Sequence, residues 1–206
     1  MTPGQIPRQR AGEGAGFILA VVGTDVHAFD RLTAWLRRWY DDRFGGAGSA
    51  SAPELVLQYG HSGDPDLPGA VQFLGHEELQ RAMAAATLVI SHGGPATITE
   101  ARRNGHLPIV VPRDPNHREH VDNHQQLFAR RLGAAGMVWL CETEAALAEA
   151  LDKGIADPSA FALSADAQAQ DARAEAVAKV GRIVEDLVAQ RSRRPGLRSA
   201  TGRWRR

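Results

Sequence analysis

An α/β domain built on a parallel sheet is the fold this 206-residue sequence predicts, and three observations predict it. Short runs that are apolar throughout, such as FILAVV at 17–22 and PIVV at 108–111, alternate with longer amphipathic stretches. Strands without a polar face are buried on both sides, as in a parallel sheet covered by helices. Glycine-rich turns follow several of these runs, where such sheets bind ligands. Finally, a hydrophobic share of 43% and a charged share of 23% suit one well-buried domain, and the length is short for two.

The elements follow in order. Residues 1–15 are rich in Gly, Pro, Arg and Gln and predict a disordered tail. The run 17–22 is a strand ending at Gly23-Thr24. Phe29, Leu32, Trp35, Leu36 and Trp39 recur at helical spacing over 28–43, and the aromatic residues among them read as core. The stretch 45–53 (GGAGSASAP) is a loop. Strands are expected at 55–59, closing on Gly60-His61-Ser62-Gly63, and at 71–74, with a helix at 77–86. A strand at 88–91 runs into His92-Gly93-Gly94, and Pro95 opens a helix at 96–104 that stops at Gly105. A strand at 108–111, a helix at 119–132, a strand at 137–140 and a helix at 142–152 follow. Residues 166–190 predict a longer Ala-rich helix. The boundaries are therefore a tail at 1–15, a ligand-binding domain at 16–155, a helical segment at 156–190 and a basic disordered tail at 191–206.

Bulk chemistry excludes several classes. Seven of the 24 basic residues lie in 191–206, which holds no acid, leaving 17 against 24 acidic residues before it. An acidic body argues against nucleic-acid binding by the fold. A single cysteine, Cys141, forbids an intramolecular disulfide and fits a reducing compartment. No run reaches the roughly 20 apolar residues of a membrane span, and residues 1–16 lack the apolar core of a secretory signal. A cytoplasmic protein, with any membrane contact peripheral, is expected.

Four loops carry the chemistry: Gly23-Thr24-Asp25, Gly60–Gly63, His92-Gly93-Gly94 and the segment from Arg113 to Asp122. Glycine in His92-Gly93-Gly94-Pro95 lets backbone N–H groups approach a phosphate without an intervening Cβ. Pro95 suits the first helical turn, the helix points its positive end at the turn, and Thr97 adds a hydroxyl. By itself the sequence fits a plain tight turn equally well. There is no G-x-G-x-x-G fingerprint and no P-loop. Glu100, just over one helical turn in, can accept hydrogen bonds from ribose hydroxyls, although a solvent-exposed helix acid is the commoner fate of such a residue. On a helix His117, His120 and His124 would share a face, but His117 falls before the helix expected at 119–132; a metal site there is the less favoured reading, and a pocket in which Glu119 and His120 read sugar hydroxyls is preferred. Asp64-Pro65-Asp66 reads as a turn, and the Arg-rich tail as solvated.

Taken together, residues 91–125 resemble the C-terminal, donor-binding domain of glycosyltransferase family 28, and also the small catalytic subunits of two-part sugar transferases of glycan and exopolysaccharide synthesis. The resemblance covers about residues 17–150 and implies one Rossmann-like half of a two-half GT-B enzyme. It places Gly23 and Thr24 near a donor diphosphate, and Phe73-Leu74 with Gly75 where backbone reads a uracil. His92, Gly93, Gly94 and Thr97 form the diphosphate turn, with Glu100 on the ribose. Glu119 and His120 occupy two sugar-contacting positions that are glutamine in the peptidoglycan enzyme of the family. Asn123 and Gln125 match a polar stretch on the same helix. The implied reaction is metal-independent transfer from a UDP-sugar, a substrate rather than a cofactor. The acceptor, lipid-linked, is expected on a separate membrane-associated subunit, since this chain carries only the donor half. His27 is the candidate base and Asp25 the second. A non-catalytic nucleotide-sugar-binding or regulatory module is the alternative, and a sugar-nucleotide epimerase a weaker third.

Overall fold

A computed structural model describes residues 17–45 and 52–163. Six strands form one sheet in the order β3-β2-β1-β4-β5-β6: β1 (Phe17–Val21), β2 (Glu54–Gln58), β3 (Ala70–Val71), β4 (Leu88–Ser91), β5 (Ile109–Val110) and β6 (Trp139–Leu140). Every pairing is parallel. The intervening helices are α1 (Asp30–Phe44), α2 (His76–Ala85), α3 (Pro95–Arg103), α4 (His124–Ala134) and α5 (Glu144–Ala156).

Strand periodicity explains the layers. Alternate residues point to opposite faces. Ile18, Ala20, Val22, Leu55, Leu57, Leu88 and Ile90 bury one face with Leu32, Leu36 and Trp39 of α1 and Leu147 and Leu151 of α5. Leu19, Val21, Val56 and Val89 bury the other with Met83 of α2 and Ala101 of α3. Val110 continues that second face with Ile98 of α3 and Phe128 and Leu132 of α4. The apolar runs are thus apolar because both faces of the sheet are covered. Phe29 and Trp39 are core, as expected.

The strand order places the site. Chain direction across the sheet reverses between β1, which continues to β2 and β3 on one side, and β4, which continues to β5 and β6 on the other. Such a switch point opens a crevice at the carboxyl ends of the two central strands. Gly23 and His92-Gly93-Gly94 follow β1 and β4, so the glycine turns border that crevice.

Two expectations shift. The helix expected at 119–132 begins at His124, after a 3-10 turn at Pro115–His117 and a bent segment. His117 lies off the helix, as expected, and His120 now does too; among the described residues no group of His, Cys, Asp and Glu converges as a metal site. The folded unit also runs past the expected boundary at 155. Phe161, in a 3-10 turn at Pro158–Phe161, is 1% exposed. Leu107 N–H donates to its carbonyl, Leu163 N–H to that of Gly105, and His106 bridges Ala162. The expected tails, and the helix at 166–190, lie outside the described residues. No described helix is long and apolar enough to cross a membrane.

Candidate functional site

The diglycine turn is shaped around the His92 ring. A Cβ on Gly94 would lie 2.3 Å from His92 Nε2, and a Cβ on Gly23 2.7 Å from its Cε1. The imidazole is therefore wedged between the β1 and β4 loops, and both flanking positions must lack a side chain. Gly23 also has φ +87°, which glycine adopts without penalty. His92 Nδ1 is shut off from solvent and has no protein partner among the described residues. Burial, reinforced by the charge of Arg113, lowers the His92 pKa to about 4, so the wedge is neutral at pH 7.

Gly93 meets helix α4 instead. A Cβ there would lie 2.9 Å from Gln125 Cβ, so Gln125 packs directly on the turn. Its buried Oε1 also has no protein partner among the described residues. Pro95 occupies the first turn of α3, and Ile98 N–H already donates to the Gly94 carbonyl. The N–H groups of Ala96 and Thr97 are the first-turn donors left without an intrahelical acceptor. Glu100 sits one turn further on, partly exposed, with Arg103 at 3.9 Å. Asn123 is the N-cap residue of α4 and makes no side-chain capping bond.

The β1–α1 loop carries a dyad. Asp25 Oδ1 accepts from the His27 backbone N–H at 2.8 Å and pairs with His27 Nδ1 at 2.5 Å. Burial opposes charge on Asp25. The two hydrogen bonds from His27 and the nearby Arg113 outweigh it and hold the carboxyl below its ordinary range. With Nδ1 donating to Asp25, His27 Nε2 is left as the basic atom. Across the crevice the His120 ring lies 6.1 Å from that of His27, and His120 Nδ1 lies 3.3 Å from Asp122 Oδ1. His61, from the β2 loop, bonds the Asp25 carbonyl at 2.9 Å and packs against Phe73. Val26 and Val121, on the same two loops, are 75% and 76% exposed.

One expectation is corrected. Glu119, expected to read a sugar, is 2% exposed. Its Oε1 accepts from Arg31 Nε at 2.9 Å, and Oε2 from Arg31 Nη2 at 2.7 Å and from the Asp114 N–H at 2.8 Å. Its carboxylate is saturated within the protein and pins the β5–α4 loop to α1. The expectation that backbone at Leu74 and Gly75 reads a base is narrowed rather than overturned, because their N–H groups donate to Gln58 Oε1 and Glu78 Oε2. Only carbonyl oxygens remain for a base there.

Arg113 was not singled out from the sequence beyond marking the start of its loop. Its side chain is 1% exposed and donates to carbonyls of three segments. A charged residue close behind a buried strand, after Val111 and Pro112, is the signal that could have found it. Arg31 and Glu119 are 88 residues apart, and no local pattern links them.

The site therefore combines a glycine turn, a helix N-terminus, a polar helix and a carboxylate–imidazole dyad around one switch point. Residues 47–180 match the glycosyltransferase family 28 C-terminal domain. The chain belongs to that family. The family 28 match includes the diglycine turn, α3 and the β5–α4 loop; the Asp25–His27 dyad precedes it. No curated protein matches the chain. Among solved structures, CalG4, the calicheamicin glycosyltransferase, is 16% identical with a TM-score of 0.53, covering 91% of this chain and 45% of its own. The glycotransferase of kitacinnamycin is 20% identical with a TM-score of 0.53, covering 90% of this chain and 45% of its own. The chain thus spans a little under half the length of these enzymes, and its fold is that of the C-terminal half of a GT-B glycosyltransferase.

Proposed function

We propose that this domain binds a UDP-sugar and transfers the sugar, without a metal, to an acceptor hydroxyl presented across the crevice by a separate, membrane-associated subunit carrying a lipid-linked acceptor in cell-envelope or exopolysaccharide synthesis. The observation that carries the donor reading is the meeting of Gly23, Gly93, Gly94 and the α3 N-terminus at the switch point, in a chain of this family. The diphosphate lies on the N–H groups of Ala96 and Thr97, where the helix dipole favours negative charge. Gln125 Oε1, an acceptor without a partner, faces the same turn and suits a donor hydroxyl. Glu100 takes the ribose hydroxyls, and carbonyl oxygens of residues 73–75 take the N–H of the base. With Glu119 committed to Arg31, His120 and Asn123 remain to contact the sugar.

The dyad supports catalysis over a module that only binds. In the transfer step the acceptor oxygen bonds to the sugar C1 as the bond from C1 to the β-phosphate oxygen breaks. The electron pair leaves with UDP, and the acceptor proton passes to His27 Nε2. Asp25 stabilises the resulting imidazolium. Charge on the leaving diphosphate is offset by fixed dipoles.

Calorimetric titration of the chain with UDP tests the donor site. Micromolar binding that falls at least about tenfold, some 1.4 kcal/mol, in Glu100→Ala is expected, and unchanged affinity in that variant removes Glu100 from the ribose. Transfer assays with the partner co-purified test the chemistry. Binding without transfer from any UDP donor would favour the regulatory module.

A further inference from the structure

Arg113 is a buried cation whose hydrogen bonds, among the described residues, all go to neutral backbone carbonyls. Nη1 donates to the His27 carbonyl at 2.6 Å and the Glu119 carbonyl at 2.9 Å, and Nη2 to the Val22 carbonyl at 2.8 Å. The guanidinium stacks 4.9 Å from the Phe29 ring centroid. Its acceptors belong to three segments that border the crevice: the end of β1 before Gly23, the loop of the dyad, and the loop of His120. Desolvating a cation costs several kcal/mol, and a planar fork of donors is suited to hold several carbonyls at fixed angles. A charge buried under the dyad also acts on it through space, because Asp25 and Glu119 are the carboxylates coupled to it.

We propose that Arg113 is a positioning residue for sugar transfer: it fixes the His27 backbone and the β5–α4 loop against the end of β1, so that the Asp25–His27 pair faces the crevice opposite His120. The proposal rests on the transferase reading above. Arg113 touches neither donor nor acceptor, so it acts on the step that uses the dyad and not on UDP binding. Asp25 and His120 meet the His27 ring, Arg113 donates to the His27 carbonyl, and Asp25 in turn meets His61 from the β2 loop and the charge field of His92 from the β4 loop. Removing the Arg113 fork while keeping a cation separates geometry from charge.

The test uses the full chain carrying Arg113→Lys. In the isolated protein, the His27 ring nitrogens are titrated by NMR and UDP affinity is measured by calorimetry; with the partner, kcat and the donor KM are measured across pH. The expected result is a displaced His27 titration, UDP affinity within about threefold of wild type, and kcat lower by about a hundredfold, the scale of a misplaced general base, with KM little changed. A folded variant with an unaltered His27 titration overturns the proposal, as does UDP affinity falling in step with kcat. If lysine at 113 prevents folding, wild-type protein decides: the Arg113 Nη protons should be resolved and slow to exchange, and rapid averaging overturns the proposal. Should wild type neither bind UDP nor transfer sugar, the transferase reading fails, while the NMR comparison still decides the link between Arg113 and the dyad.

Discussion

His92 shows how one side chain dictates its neighbours. Its ring fills the space that a Cβ on Gly94 or on Gly23 would need, yet the two glycines serve different ends. Gly94 has extended backbone at φ −77° that any residue adopts, so only the ring forbids a larger residue. Gly94→Ala is expected to destabilise by about 1–3 kcal/mol through overpacking and to be largely rescued in the His92→Ala background. Gly23→Ala retains the strain of φ +87° and is not rescued. Urea unfolding of the two double-mutant cycles checks this. The same ring sets an acid limit. Its folded pKa of about 4 lies below the ordinary 6.5, so the unfolded chain binds the proton more readily. The stability in question is fully present above pH 6.5 and is lost as pH falls towards 4, by at most about 3 kcal/mol. His92→Gln should flatten the unfolding free energy against pH between 7 and 4.

At the scale of elements, α1 is tied to its neighbours, the β5–α4 loop and α5, by ion pairs of unequal worth. Arg31–Glu119 is nearly dry, with side chains 14% and 3% exposed, and removing one partner leaves a buried charge uncompensated. Glu119→Gln is expected to destabilise by about 3 kcal/mol and to weaken UDP and UDP-sugar binding equally. Selective loss of UDP-sugar binding would return Glu119 to the sugar pocket. Arg38–Glu144, which joins α1 to α5, is half exposed. Such pairs are screened by water, so Arg38→Ala should leave the thermal midpoint nearly unmoved. Cys141, buried and with its thiol pushed up to about 12, should resist thiol reagents until the chain unfolds.

For the whole molecule, the decisive feature is that residues 157–163 pack onto the domain. The segment through Leu163 closes over β5 and α3 by way of Phe161, His106 and Gly105. A chain ending after Gly154 should be less stable than one ending after Leu163 by about 3 kcal/mol or more, the cost of emptying a buried Phe site. Thermal unfolding of the two chains measures it. Partner capture by the chain ending after Leu163, compared with the full chain, then tests whether residues 164–206 dock the acceptor subunit.

The sequence by itself determined the element order, the parallel sheet and the turns, because apolar runs, helical spacing and glycine chemistry are local. It also brought Asp25 to His27, two residues apart, and set Pro95 at the start of α3. Helix α4 started late because Asp114, Pro115 and Arg118 make a 3-10 turn closed by a left-handed residue, which helical spacing of histidines does not register. Only the tertiary structure decided what the polar residues do. It turned Glu119 inward onto an arginine 88 residues away, committed the Leu74 N–H to Gln58 on β2, and slid His92 between two glycines. It also set Arg113 beneath the dyad. Each of these depends on which strands lie side by side in the sheet, and strand order carries no local signature.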